Sequence, residues 1–166
     1  MFEGEIRSLA ATVLEHARAR DYRLATAESC TGGLVAGALT AVAGSSDVVE
    51  GGLVTYSNAA KTTLLGVDSD LIANVGAVSK EVARAMAAGA VRRLGVDLAV
   101  AITGVAGPGG GSAEKPVGLV HFAVADARGD TWHCEARFGD IGRDEVRVAS
   151  VKVALEMLLE RLTDER

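Results

Sequence analysis

Thr26-Ala27-Glu28-Ser29-Cys30-Thr31-Gly32-Gly33 is the stretch that decides the fold. On its N-terminal side, Arg23 to Ala27 reads as a short strand. On its C-terminal side, Leu34 to Val42 reads as a helix of small residues. The two glycines between them allow an abrupt turn from one into the other. A strand that feeds a helix in this way begins an α/β unit, and in such sheets ligands gather beyond the carboxyl ends of the parallel strands.

Outward from this turn, strand and helix signals alternate. Phe2, Ile6, Leu9 and Val13 recur at helical spacing with Glu3, Arg7 and Glu15 elsewhere, so the chain opens with an amphipathic helix. Val48 to Tyr56 has strand composition, and Asn58 to Leu65 suits a helix ended by Gly66. Ser79 is a good N-cap for a helix running to Arg93, with Gly95 as its stop. Leu98 to Ile102 is an apolar run of the kind buried on both faces of a sheet. Val117 to Ala125 and Thr131 to Phe138 flank the turn residues Asp126 to Asp130 and form a hairpin, the second strand with one wet face. A last helix runs from about Arg143 to Leu162. The expected architecture is one α/β domain over residues 1–166. It is a three-layer α/β/α sandwich with a mixed, mostly parallel sheet closed by a C-terminal antiparallel hairpin.

Composition narrows the function classes. The 166 residues are 49% hydrophobic but only 4% aromatic, so Ala, Val and Leu must build the core. A domain of this size buries roughly 70% of its unfolded surface and needs no metal or disulfide to hold it. The net charge is −5 with acids and bases interspersed, which lacks the basic stripe of a nucleic-acid surface. Cys30 and Cys134 form no CxxC pair and read as reduced thiols. Glu3 and Glu5 stand where a signal peptide would be basic, so a cytoplasmic protein is expected. Ser29 to Ser46 is uncharged but short and contains four glycines, so no membrane span is expected. The exposed edge at Thr131–Phe138 could pair a homodimer.

Three segments follow predicted parallel strands and are the candidates for chemistry: the Ser29 turn, the residues after Val48–Tyr56, and the loop Thr103 to Ser112. His16, His121 and His133 belong to no HExxH or Cys/His ligand pattern, so neither a metal nor another cofactor is expected. The loop Thr103-Gly104-Val105-Ala106-Gly107-Pro108-Gly109-Gly110-Gly111-Ser112 fails both the P-loop and the dinucleotide fingerprint, because Ser112 stands where each needs another residue. It could still present N–H groups to a phosphate, or serve only as a crossover. Ser29, at a strand end ahead of two glycines, has the placement of an acyl-transfer nucleophile with turn N–H groups about it; a plain helix cap by Ser29 or Thr31 is the competing reading. With histidine discounted, Lys61 is the candidate base, since burial lowers a lysine's pKa; taken alone it reads as a solvated helix residue.

Six ordered motifs carry a family resemblance: Ala27 to Gly33, Gly44-Ser45-Ser46, Val54 to Lys61, Gly76-Ala77-Val78-Ser79, Thr103 to Pro108, and Glu114-Lys115-Pro116-Val117-Gly118. Together they resemble the C-terminal domain of the CinA (competence/damage-inducible) proteins in its stand-alone form, without the large N-terminal nucleotide-processing domain of many members. The resemblance implies an amidase that converts nicotinamide mononucleotide and water to nicotinate mononucleotide and ammonia. It implies Ser29 as nucleophile and Lys61 as base, with Tyr56 beside the dyad. It places the substrate against Thr31, Gly32, Gly33 and Ser46, and against Thr103, Gly104, Gly107 and Arg143, the arginine on the phosphate. A non-catalytic nucleotide-binding module and an interaction domain of the same fold are the alternatives; the presence of both Ser29 and Lys61 favours the enzyme.

Overall fold

The strands of the sheet alternate by side-chain size rather than by polarity, and this sets the three layers. The computed structural model describes Phe2 and residues 4–164; Glu3, read as part of the first helix's wet face, lies outside the described residues. Strand β1 (Leu24–Glu28) lies between β2 (Val49–Val54) and β3 (Leu98–Gly104), parallel to both. Strands β4 (Leu119–Asp126) and β5 (Thr131–Arg137) continue the sheet antiparallel, giving the order β2-β1-β3-β4-β5. On one face Leu98, Val100 and Ile102 of β3 and Val120, Phe122 and Val124 of β4 stand against α1 (Gly4–Ala19), α2 (Leu34–Thr40) and α6 (Arg143–Thr163). On the other face Ala99, Ala101, Ala123 and Ala125 project, and α5 (Lys80–Leu94) packs closely on them with α3 (Asn58–Leu65) and α4 (Ser69–Val75) beside it. The low aromatic content is thus compatible with a dense core, because alanine faces let a helix approach the sheet. At the α3–α5 crossing, a Cβ on Gly89 would lie 2.1 Å from the Leu65 carbonyl, so only glycine fits there.

The expected sandwich and terminal hairpin are present, and β5 is an edge as read from its alternation. Helix α4 was not anticipated; it is short, and Asp68 caps it by accepting the Asp70 N–H at 2.8 Å. The wet face of β5 is also less wet than expected. His133 Nε2 lies 2.9 Å from His121 Nδ1 on β4, and burial holds both imidazoles below their ordinary pKa.

Helix α2 begins at Gly33, which has no side chain to cap it. Glu28, 1% exposed at the end of β1, takes that role instead. One carboxylate oxygen accepts the N–H groups of Gly33 and Val35, each at 3.1 Å, and the other accepts Ala36 N–H at 2.9 Å and the Thr26 hydroxyl at 3.1 Å. The carboxylate satisfies helix-terminal donors and lies on the positive end of the helix dipole. It also ties the strand before Ser29 to the helix after it. Glu28→Gln puts an amide N–H among donors and should cost roughly 2–3 kcal/mol, read as a lower urea midpoint at unchanged m-value. An unaltered midpoint would show that the carboxylate does not hold the turn.

Candidate active site

The carboxyl ends of the three parallel strands converge on Ser29. The β1–β3 ladder runs one residue past β1, since Ser29 N–H donates to the Ile102 carbonyl at 2.9 Å; on the other side Thr55 N–H donates to the Glu28 carbonyl at 2.8 Å. Both contacts fix the Ser29 backbone. Beyond Thr55 the chain turns, and Ser57 caps α3 by accepting the Ala60 N–H at 3.0 Å. That cap starts the helix so that Lys61, one turn in, reaches back towards β1.

Lys61 Nζ and Ser29 Oγ are 3.0 Å apart, and Nζ also lies 2.8 Å from the Thr55 carbonyl and 3.5 Å from that of Tyr56. Lys61 is 1% exposed and Ser29 9%. A lysine so placed is rarely found without a paired charge, and no carboxylate forms an ion pair with it among the described residues. Desolvation pushes its pKa below the ordinary lysine value. The plain-cap reading of Ser29 does not fit this arrangement, because Glu28 caps α2 and the serine hydroxyl faces the lysine.

Cys30 turns into the core on the α2 side, and burial raises its thiol to about 11, which leaves it a packing residue. The thiolate needed for nucleophilic attack is scarce at that pKa.

An open cavity of about 300 Å³ lies over Ser29, bounded by Tyr56, Val78, the loop from Gly104 to Gly110, and Arg143. Arg143, at the start of α6, donates from Nη1 to the Gly107 carbonyl at 2.8 Å and from Nη2 to the Tyr56 hydroxyl at 3.0 Å. A guanidinium has five N–H donors, so these two bonds leave others for an anion. The Tyr56 ring stands exposed at the cavity mouth, while its carbonyl is the part that meets Lys61.

The other predicted site residues divide. Gly104 and Gly107 line the cavity. Gly32 and Gly33 adopt positive φ (59° and 98°) within the turn. Thr31 is fully buried with its hydroxyl unpartnered. Thr103 is buried and spends its hydroxyl on the Ala77 carbonyl at 2.9 Å, which ties down the segment holding Val78. Ser46 is not brought to the site: it precedes β2, at the opposite end of the sheet, where its carbonyl accepts from Arg23 at 3.2 Å. Glu28 and Arg147 bear on the site but carry no nucleophile or ligand pattern that would single them out. Their signals are a helix start without a capping residue and an arginine four residues beyond Arg143, on the same helix face. No group of three or more His, Cys, Asp or Glu able to hold a metal occurs among the described residues. No helix among them is long and apolar enough to cross a membrane.

Fold and site define an α/β/α domain with a buried serine–lysine pair at the carboxyl ends of parallel strands. Residues 6–162 match the CinA C-terminal domain, and the chain belongs to that family. It is 57% identical over 158 residues to a CinA-like protein of Synechococcus sp. (strain RCC307), covering 95% of this chain and 38% of that protein. A CinA-like protein of Mycobacterium leprae is 54% identical over 142 residues, covering 86% and 33%. The chain therefore spans about a third of the length of these curated relatives. The crystal structure of the competence/damage inducible protein CihA from Agrobacterium tumefaciens superposes with a TM-score of 0.95 at 52% identity over 99% of each chain. A CinA superfamily protein from Escherichia coli gives 0.89 at 34% identity, covering 97% of this chain and 94% of that one.

The burial of Lys61 has a consequence for stability. A lysine whose pKa is lower when folded loses its proton in the folded state first, so the unfolded chain binds more protons between the two values. Stability should therefore rise with pH through that window, up to the unfolded value of about 10.4. The difference in unfolding free energy between the wild type and Lys61→Met should shift in favour of the wild type across it, by at most about 1.4 kcal/mol per pH unit. A difference that stays flat from pH 7 to 10 would mean that Lys61 keeps an ordinary pKa.

Proposed function

We propose that this domain is an amidohydrolase that converts nicotinamide mononucleotide to nicotinate mononucleotide and ammonia through Ser29 and Lys61. The observation that carries the reading is the 3.0 Å contact between a buried, unpaired lysine and a serine hydroxyl at the floor of an open cavity. A protonated Nζ would donate to all three neighbouring oxygens. A neutral amine instead donates to the Thr55 and Tyr56 carbonyls and keeps its lone pair for the Ser29 hydroxyl proton. At its reference pKa only about one lysine in a few thousand is neutral at pH 7, so the depression caused by burial is what makes the base usable.

In the first step Ser29 Oγ bonds to the carboxamide carbon while its proton passes to Lys61 Nζ, leaving a tetrahedral oxyanion. Lys61 then returns the proton to the amide nitrogen, the C–N bond breaks, and ammonia leaves an acyl-serine. Water, deprotonated by Lys61, attacks the acyl carbon and frees nicotinate mononucleotide and Ser29. Arg143 and the N–H groups of Ala106, Gly107, Gly109 and Gly110, which line the cavity, would take the phosphate. The family membership and the motifs quoted above support this substrate class, and the presence of both dyad residues favours an enzyme over a binding module.

Purified protein should release ammonia from nicotinamide mononucleotide, retain that activity in EDTA, and act far more weakly on nicotinamide riboside. Arg143→Ala should raise KM for the mononucleotide at least tenfold and scarcely alter the riboside reaction. Lys61→Arg should be as inactive as Ser29→Ala, because a guanidinium does not deprotonate in this range. Substantial turnover by Lys61→Arg would overturn the lysine-as-base mechanism. The absence of ammonia release from either substrate by the wild type would overturn the substrate assignment.

A further inference from the structure

Two of the six motifs have no part in the chemistry proposed above: Gly76-Ala77-Val78-Ser79 and Glu114-Lys115-Pro116-Val117-Gly118. The fold brings them together. Lys115 Nζ reaches across 40 residues of sequence and donates to the Val75 carbonyl, at the end of α4, at 2.5 Å. The next two carbonyls are taken as well: Ser79 Oγ donates to that of Gly76 at 2.8 Å, and Thr103 Oγ1 to that of Ala77 at 2.9 Å. Three successive carbonyls thus accept from three side chains, one on the glycine loop, one at the α5 cap and one on β3. The residue that follows them, Val78, lines the cavity over Ser29. Gly76 has φ 80° and ψ 157°, a conformation that in practice only glycine adopts, and a Cβ there would lie 2.5 Å from Lys115 Nζ. The missing side chain leaves the room that the amine fills.

Lys115 sits on the return arm of the glycine loop. Val105 N–H donates to the Leu119 carbonyl at 2.9 Å and Gly118 N–H to the Val105 carbonyl at 2.8 Å, which closes the base of the loop. Ser112 N–H donates to the Lys115 carbonyl at 2.9 Å, which closes its tip. Between base and tip, the N–H groups of Ala106, Gly107, Gly109, Gly110 and Gly111 have no acceptor among the described residues, and the first four of these residues line the cavity. That stretch makes no ladder of its own and rests on the arm: a Cβ on Gly107 would lie 2.7 Å from Val117 Cγ1. Unused backbone N–H groups in succession are the makings of an anion site, provided the loop is held.

We propose that Lys115 is a positioning residue for an anion site in the Ser29 cavity: by pinning the return arm of the glycine loop to the α4–α5 connection, it holds the unused loop N–H groups where they bind a phosphate-like anion. Lys115 does not line the cavity, so it acts through the loop and not by touching the ligand. The class of anion is that of the function proposed above, while the tether is independent of the serine–lysine chemistry. A hydrogen bond from a charged donor is roughly twice as strong as a neutral one, so its loss frees the arm.

The test titrates inorganic phosphate into the nitrogen-15-labelled chain and follows the amide signals of Gly107, Gly109 and Gly110. Lys115→Met should bind phosphate at least about fivefold more weakly than wild type. Its Ser112 and Gly118 amides should exchange with deuterium at least about tenfold faster, while that of Ser29, in the β1–β3 ladder, keeps its rate. Lys115→Arg keeps a charged donor and should recover most of both losses. Gly76→Ala keeps the lysine's charge but displaces its amine, so it should resemble Lys115→Met, and it carries the test if Lys115→Met fails to fold. With nicotinamide mononucleotide, the loss should fall on KM more than on kcat. Wild-type phosphate affinity in folded Lys115→Met would overturn the proposal. So would tight binding by Gly76→Ala beside weak binding by Lys115→Met, since Lys115 would then act only as a charge. Loop amides that ignore phosphate in the wild type would remove the anion site and leave the amidase to be judged by ammonia release. A wild type that binds phosphate there but releases no ammonia would lose the amidase function and keep this site.

Discussion

Lys61 buries an amine that water would otherwise solvate, and it has no carboxylate partner to offset the loss. Fully desolvating an ammonium costs several kcal/mol, and the group escapes that cost by giving up its proton. The neighbourhood is arranged around this constraint. Two carbonyls at the β2–α3 turn receive hydrogens from the Lys61 amine, the Ser57 cap sets the helix phase, and the Ser29 hydroxyl lies 3.0 Å from Nζ. On the function proposed above, the destabilised lysine serves as the base, and the site would carry a local stability cost in exchange for reactivity. Arg143 turns to Tyr56 and Gly107 and shapes the cavity rim.

Around that constraint the structure supplies rigidity from opposite directions. Glu28 joins β1 to α2 through backbone donors, and Arg147 joins α6 to the same turn through backbone acceptors. Helix α6 therefore serves twice within its first turns, with Arg143 at the cavity mouth and Arg147 behind the nucleophile. A serine held this way can be presented at a fixed distance from Lys61 without a disulfide, a metal or a large aromatic core. The size alternation of β3 and β4 supports the arrangement from beneath, since the alanine face brings α5 close to the sheet and steadies the strands that carry the site.

Local signals were legible in the sequence and non-local ones were not. Helix α3 was expected over Asn58–Leu65 and is found there, because Ser57 and Gly66 cap it by interactions within a few residues. Helix α5 follows Ser79 and stops at Gly95 for the same reason. Helix α4, with seven residues and no long apolar period, gave too little pattern to read. The Ser29–Lys61 pair was reasonable from strand ends and became specific through the family motifs, but its 3.0 Å contact depends on tertiary packing. Glu28 and Arg147 leave no such signal, because their partners are backbone atoms and no complementary residue type stands in the sequence. Thr103 and Ser46 show the limit of motif transfer. The first is at the right strand end with its hydroxyl turned to Ala77, and the second lies at the far end of the sheet.

The fold lowers the pKa of one particular lysine, and that shift can be measured without any substrate. Carbon-13 labelling at lysine Cε, followed by NMR titration, resolves Lys61 from Lys80, Lys115 and Lys152, with Lys61→Met assigning the resonance. The Lys61 signal should titrate below the ordinary value of about 10.4, apart from Lys152, whose bond to Glu5 raises it. A Lys61 resonance that titrates at or above about 10.4 would contradict the account, since the lysine would then be a fixed positive charge beside Ser29 and could not act as its base.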